Sequence, residues 1–318
     1  MKNKEELGNR MDKENPNKKP KIKRNSKKVR KIKENLTAYS FIAPNFIGFA
    51  IFTLGPILFA VVLSLYQWDG SNPMKFVGFD NYLKMWNDVR VHAAFWNTII
   101  YAVGTVPLTL VTSIGIAILL NQKIKGRNIF RTVSFFPYVA SLVAVAAVWN
   151  MIFSPVNGPV NEVLRLIGVT NPPKWAADSD WAMFTVILFS VWKQMGYYMV
   201  IFLAGLQGIS AELYEAAELD GANKWKQFIN VTLPQLKPVT FFVLMILTIN
   251  SFKVYDIIYM ITQGGPGTST LVLVYEIYNT GFMNWDLGYS SAISMLLFAV
   301  VLIVTLIQFK GEKNFANE

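Results

Sequence analysis

YEAAELDGANKWKQFINVTLPQLKP, residues 214–238, lies between two long apolar runs, yet is neither oily enough to span a bilayer nor long enough to form a domain. Its residues spell a helical hairpin. Ser210 is a good N-cap just upstream, and Glu212 and Glu215 put negative charge where the free N–H groups of a first turn favour it. The helix then runs through Ala216 and Ala217 until Asp220-Gly221 turns the chain. From about Asn223 a second helix presents Trp225, Phe228 and Thr232 at helical spacing, and Pro234 and Pro238 lead into the next apolar run. Two helices this short cannot bury Leu213, Ala217, Trp225 and Phe228 together, so part of that surface is expected to meet the chain's own membrane domain or an outside partner.

On either side of the hairpin the composition is that of a membrane protein. Of 318 residues, 53% are hydrophobic and 14% aromatic, the mean hydropathy is +0.34, and there is no Cys. Crossing a hydrocarbon core takes about 20 helical residues. Six segments reach that length: 41–66, 98–120, 135–153, 181–203, 238–261 and 289–309. They are continuous apolar runs rather than the short alternating segments of a barrel, and a backbone in lipid must satisfy its own hydrogen bonds. The fold class expected is therefore an all-α membrane protein with six transmembrane helices. The first segment is too long for a signal-peptide core and lacks a clear cleavage site, so it reads as a retained anchor.

Lys and Arg set the expected orientation. Fourteen of the 30 lie in residues 1–36. Lys123, Lys125, Arg127 and Arg131 follow the second span, Lys224, Lys226 and Lys237 lie in and after the hairpin, and Lys310 and Lys313 close the chain. The opposite loops hold only Lys75, Lys84, Arg90, Arg165 and Lys174. By the positive-inside rule both termini and the hairpin are cytoplasmic. The organisation expected is a disordered basic tail at 1–36, a membrane domain at 37–310 with its cytoplasmic loop at 206–238, and a short tail at 311–318. The basic head has no aromatic to stack on a base and runs straight into a span, so it reads as a topology signal brushing anionic lipid, with no nucleic acid as partner. The lack of Cys removes thiol catalysis, Cys-based zinc sites and disulfides. His92 is the one histidine and has no partner pattern for a triad or a metal; no phosphate-binding GxxxxGK[ST] loop occurs, so any ATP must be bound by another chain. No catalytic residue, cofactor or metal is expected.

The stretch LQGISAELYEAAELDGANKWKQFINVTLPQLKP resembles the EAA loop of binding-protein-dependent ABC importer permeases. Glu215, Ala216, Ala217, Asp220, Gly221, Ala222, Phe228, Val231, Leu233, Pro234 and Pro238 stand where that pattern wants them. ITQGGPGTSTLVLVYEIYNTGF, residues 261–282, with Gly264, Gly265, Pro266, Thr268, Tyr275 and Tyr278, is similar to the segment after the penultimate span in the carbohydrate-importing, maltose-transporter F-type or glycerol-phosphate A-type half of that family, as is the first span. The resemblance covers about residues 38–310 and lacks the large periplasmic insert and extra N-terminal spans of the best-known member. It implies a compact type I permease fold in a prokaryotic plasma membrane. The implied partners are a second, G-type permease, a dimer of ATP-binding subunits, an extracytoplasmic solute-binding protein and a sugar substrate. It also implies that the hairpin is a coupling helix seated on the ATPase, with the Ala pair allowing close approach, Gly221 the reversal, and Glu215 a charge for the partner.

Polar residues inside the spans mark a candidate substrate path. Lys193 and Gln194 lie midway along the fourth span in VWKQMGYYM, and Asn250, Ser251, Lys253 and Asp256 punctuate the fifth in INSFKVYDII. A charge near the bilayer centre costs about 2.5–3.5 kcal/mol on insertion scales, so it is expected to face a bundle interior or a wet path. On one continuous helix Asn250, Lys253 and Asp256 fall within an arc of about 120°. With Trp192, Tyr197 and Tyr255 these groups supply the hydrogen bonds and ring faces that hold a sugar, and two cations also suit an anionic solute. The resemblance places the family's sugar site on the same two spans. Two other readings stand beside it: Lys193 or Lys253 as packing glue, paired with Asp256 or bonded to helix ends, and an ion-coupled secondary transporter using Lys193, Lys253 and Asp256 as a relay.

Overall fold

A computed structural model describes residues 24–122 and 124–315. By contact density the chain divides at residue 58. In the first unit, α1 (Arg24–Phe49) passes into a π-helical turn at Ala50–Leu54 and on into α2 (Gly55–Leu63), which crosses the division. Residues 24–36, assigned to a disordered tail on composition, are helical here: they extend a span-length helix already nucleated, and adding a turn to such a helix is far easier than starting one. Residues 1–23 and 316–318 lie outside the described part. Phe41 and Phe52 are 82% and 81% exposed, as a helix facing lipid requires.

The second unit, Phe59–Glu318, begins with a two-stranded ribbon, β1 (Tyr66–Gln67) and β2 (Lys75–Phe76), and the short α3 (Asp80–Trp86). The long α4 (Val89–Asn121) starts at Asp88, whose carboxylate accepts the Arg90 N–H. It packs along α8 (Ser179–Gln207), bound by Tyr101 Oη to Ser190 Oγ at 2.9 Å and Ser113 Oγ to the Met195 carbonyl at 3.0 Å. Against this pair lies α11 (Leu233–Phe252), with Leu203, Phe202, Leu236, Val243 and Leu247 wholly buried between them. The last long helix, α14 (Leu287–Phe315), reaches α11 through Gln308 Nε2 to Thr248 Oγ1 at 2.9 Å. Polar bonds of this kind hold membrane helices together where lipid supplies no hydrophobic drive.

Among the described residues, five helices are long and apolar enough to cross a membrane. The third expected span is broken. In place of one rod over 135–153, α5 (Arg127–Val139) and α6 (Leu142–Ile152) meet at 101° across Ala140 and Ser141, and the short α7 (Pro159–Leu166) follows before α8. Both junction residues are extended, with ψ of 148° and 125°, leaving the last carbonyls of α5 without helical partners. The fifth span also differs from expectation, starting earlier and ending sooner: helix runs from Lys224 to Phe252 and stops at Lys253. Asn250, Lys253 and Asp256 therefore do not share one helix face, because Asp256 opens a separate helix, α12 (Asp256–Ile261). After the break comes α13 (Leu273–Tyr278), followed by a π-helical turn at Asn279–Met283.

At the end away from the hairpin, polar bonds tie α13 and α14 to the start of α4. Arg90 donates to both Glu276 oxygens, at 3.0 and 2.8 Å, with the Glu276 side chain only 5% exposed. Tyr289 Oη donates to Asp88 at 2.7 Å, and Lys84 Nζ reaches Asp286 at 2.9 Å while sitting 3.8 Å over the Tyr289 ring. Arg90→Met would leave Glu276 buried without its cation. The expected loss is about 2 kcal/mol, below the roughly 3–5 kcal/mol of a fully buried pair because Arg90 is half in water. Thermal melting of Arg90→Met, Glu276→Leu and the double variant should show the pair losing less than the two singles added together.

Candidate functional site

The hairpin forms as its residues dictate. Ser210 Oγ accepts the Glu212 N–H and opens α9 (Ala211–Leu219); Asn223 Oδ1 accepts the Lys226 N–H and opens α10 (Lys224–Gln227). Between them the Ala222 N–H reaches back to the Ala217 carbonyl at 2.9 Å and the Asp220 N–H to the Ala216 carbonyl at 3.0 Å. Gly221 sits at φ +75°, the left-handed conformation that such a helix end needs. The arms are pinned by Tyr214 Oη to Thr232 Oγ1 at 3.0 Å and Gln227 Nε2 to the Ala222 carbonyl at 3.2 Å.

What the sequence did not reveal is that the second arm is not a separate helix. Backbone helicity continues from α10 through a π-helical turn at Phe228–Thr232 into α11, with Pro234 in its first turn and Pro238 accommodated inside. The hairpin tip is therefore rigidly joined to a span. Its apolar side chains stand out: Leu219 is 90% exposed, Trp225 67% and Leu213 41%. Glu215, Ala216 and Asp220 are exposed, while Ala217, Ala222 and Phe228 are half-buried, with Phe228 tilted against Trp225 at 5.6 Å.

The intramembrane candidates separate into three groups. Lys193 is committed to the broken span, its Nζ donating to the Pro137 carbonyl at 2.9 Å and the Ala140 carbonyl at 3.1 Å. A cation there satisfies the free end of α5 and complements its dipole. Bound in this way, Lys193 is no free member of an ion relay, and among the described residues no salt bridge joins Lys193 or Lys253 to Asp256.

The second group converges. Tyr197 stacks on Tyr138 with ring centroids 4.5 Å apart and planes 18° apart, and meets Tyr198 edge-on at 5.1 Å. Asn250 lies beside Tyr198, and Gln194 lies beside the buried Tyr101 hydroxyl. Rings, an amide and hydroxyls thus gather between α5, α8 and α11. Tyr138 is the member that sequence reasoning missed, since only the bend of the third span brings it to Tyr197.

The third group stands apart. Tyr255 stacks with Tyr259 at 5.7 Å and Tyr275 at 5.8 Å and tilts against Tyr278 at 5.1 Å. Lys253 and Asp256 are exposed, Ser251 is buried, and Trp192 packs against Trp149 and Phe189. Among the described residues no three His, Asp or Glu side chains are grouped to hold a metal ion.

These groups make different demands on mutation. Lys193→Met removes two hydrogen bonds from a charged donor, worth about 1.5–3 kcal/mol each when made. It is expected to lower the melting temperature of the purified chain. Asn250→Ala lies at an exposed site and is expected to leave the melting temperature unchanged. Melting curves of the two variants side by side check the assignment.

Residues 110–310 match the family described as "Binding-protein-dependent transport system inner membrane component". Over 283 residues the chain is 36% identical to the arabinooligosaccharides transport system permease protein AraP of Bacillus subtilis (strain 168), covering 88% of this chain and 90% of that one. It is also 36% identical over 285 residues to the lactose transport system permease protein LacF of Rhizobium radiobacter, covering 88% and 95%. Among solved structures, the crystal structure of a bacterial ABC transporter involved in the import of the acidic polysaccharide alginate superposes with a TM-score of 0.78 at 24% identity, covering 91% of this chain and 99% of that one. That likeness bears on the fold. The family match takes in the whole hairpin together with Lys193, Gln194, Tyr197 and Asn250.

Proposed function

Because the chain belongs to the family of binding-protein-dependent transport system inner membrane components, the multi-pass permease subunits of ABC importers, we propose that it carries a carbohydrate across the membrane and is driven through its hairpin by a separate ATPase. The observation that carries the coupling role is the continuity of the hairpin's second arm with α11. An apolar tip left 67–90% exposed at Trp225 and Leu219 fits a groove on a partner, and a helix joined to it transmits displacement to the bundle without an intervening joint. Glu215, Ala216, Ala217, Asp220, Gly221, Ala222 and Phe228 form this contact. ATP and a loaded solute receptor can shift the bundle between inward- and outward-open states only by binding one state better than the other.

A sugar suits the second group of intramembrane residues. Tyr138 and Tyr197 offer ring faces, while Gln194 and Asn250 offer both donors and acceptors to hydroxyls. The names of the relatives, an arabinooligosaccharide and a lactose transport system, support that class. A second permease would complete the path opposite these residues. The distribution of Lys and Arg supports a cytoplasmic position for both termini and the hairpin.

Gentle detergent extraction from the native membrane, followed by identification of the co-purifying chains, tests the assembly. A second permease and an ATP-binding subunit are expected, and Leu219→Asp with Trp225→Asp should release the ATPase while the permease pair persists. Uptake by this chain alone, with no ATPase present, would refute the proposal.

A further inference from the structure

Among the described residues, three that are not glycine have positive φ: Trp175, Gln263 and Trp285. Bulky residues adopt this conformation rarely, and some other gain must offset it. For Trp175 the gain is visible. Its ring is 8% exposed, packed on Phe153 and Trp181, and its indole N–H donates to Asn161 Oδ1 at 2.7 Å. Trp285, at φ +57°, has no such return: it is 62% exposed and its indole N–H has no partner among the described residues. The backbone holds it there. The Asp286 N–H bonds the Thr280 carbonyl at 2.9 Å, and the Leu287 and Gly288 N–H groups both bond the Trp68 carbonyl, at 2.9 and 3.3 Å. Gly288 lets the β1 backbone come this close, since a Cβ there would lie 2.0 Å from the Tyr66 carbonyl oxygen.

Trp285 forms one wall of a cleft of about 380 Å³, within the roughly 300–1,000 Å³ of small-ligand sites. Trp68, Gln67, Asp69, Lys75 and Asp286 line the rest. The cleft lies where the first span ends and the last begins, so it opens on the face opposite the hairpin. Asp69 is tied into a turn. The Asn72 and Ser71 backbone N–H groups bond its Oδ1 at 2.8 and 3.0 Å and hold its pKa down at about 2, so it is an ionised acceptor at any physiological pH. Asp286 is fixed by Lys84, whereas the Gln67 amide and the Lys75 ammonium have no partner among the described residues. Two indoles supply flat apolar faces and two N–H donors; fixed carboxylates, an amide and a cation stand around them. Faces for C–H bonds and converging groups for hydroxyls are what a sugar ring needs.

We propose that this cleft is an outer carbohydrate-binding subsite that takes one sugar ring of the transported solute between Trp285 and Trp68 before the solute enters the bundle. The assignment rests on the carbohydrate reading above. It gives a role to an exposed tryptophan that stands where glycine would relieve the backbone.

The test uses the full chain in lipid nanodiscs, with saturation-transfer NMR against arabinotriose, lactose, maltotriose and an alginate trisaccharide. At least one should bind, and Trp285→Gly should weaken that binding about ten-fold by removing the stacking face. The same variant should melt, by circular dichroism, no lower than the parent, because glycine adopts φ +57° freely. Equal binding by the parent and Trp285→Gly overturns the subsite, as does an absence of binding by every probe. So does a variant that loses only retention of the solute receptor, which would make the cleft a protein contact. Uptake of the same sugars by cells carrying the intact importer separates the two ideas: uptake with no cleft binding sinks the subsite alone, and uptake of none of them sinks the carbohydrate reading as well.

Discussion

Gly221→Pro is expected to abolish solute uptake while leaving the chain inserted and folded. Nothing lies within 4 Å of a Cβ at this position, so bulk is not the difficulty. The difficulty is conformation: φ is +75°, proline is locked near −65°, and the Gly221 N–H that bonds the Glu218 carbonyl at 3.0 Å would be lost. The turn between α9 and α10 would open, and the apolar tip would lose its shape. α8 and α11 would not be disturbed, because Leu203, Leu206 and Leu236 hold them together independently of the tip. Gly221→Ala fits the open space and should cost only about 1 kcal/mol. Glu215→Lys leaves the hairpin shape intact but reverses an exposed charge, and should uncouple ATP hydrolysis from uptake without loss of folded protein. Uptake and ATPase rates of the reconstituted assembly check both; normal transport by Gly221→Pro and Glu215→Lys together would remove the coupling role.

Gly196→Ala should be strongly destabilising for a substitution that adds a single methyl group. A Cβ there would lie 2.0 Å from the Ser134 carbonyl oxygen and 2.8 Å from the Phe135 Cα, backbone atoms that cannot rotate aside. The close approach of α5 to α8 that it permits is also what lets Lys193, three residues earlier, reach the carbonyls at the broken span. A loss of about 3 kcal/mol or more is expected, at the upper end of overpacking effects. Two glycines on the neighbouring positions of the bundle calibrate it. At Gly205 the nearest atoms are side-chain methyls of Val239 and Leu236, at 3.0 and 3.1 Å, which can shift, so Gly205→Ala should lose less. At Gly115 nothing lies within 4 Å, and alanine should gain about 0.5–1 kcal/mol from helix propensity. Melting temperatures should rank Gly115→Ala above Gly205→Ala above Gly196→Ala; equal melting of the first and last would show that this contact is not tight.

The sequence was most informative where the physics is local. Ser210, Gly221 and Asn223 act through hydrogen bonds to residues two to five positions away, so the hairpin's start, turn and restart were legible to the residue. Span-length apolar runs were legible because a backbone in lipid has no other way to satisfy itself. The run at 135–153 was misleading for the same reason. Its composition is that of a straight span, but the carbonyls freed by the bend are satisfied by Lys193, more than fifty residues away. The polar stripe expected from Asn250, Lys253 and Asp256 assumed a helix that ends at Phe252. Arg90 with Glu276 and Asp88 with Tyr289 are separated by 186 and 201 residues, and no spacing rule connects them.

Composition and short-range pattern by themselves determined that this is a helical membrane protein with a capped, glycine-turned hairpin carrying an apolar tip. Tertiary structure decided which span bends, where another stops, that the hairpin is one piece with α11, and which tyrosines meet. The reason is range. A cap, a turn or a lipid-facing run is settled by neighbours along the chain, whereas a broken span or a buried charge is stable only if a partner from a distant segment arrives to satisfy it.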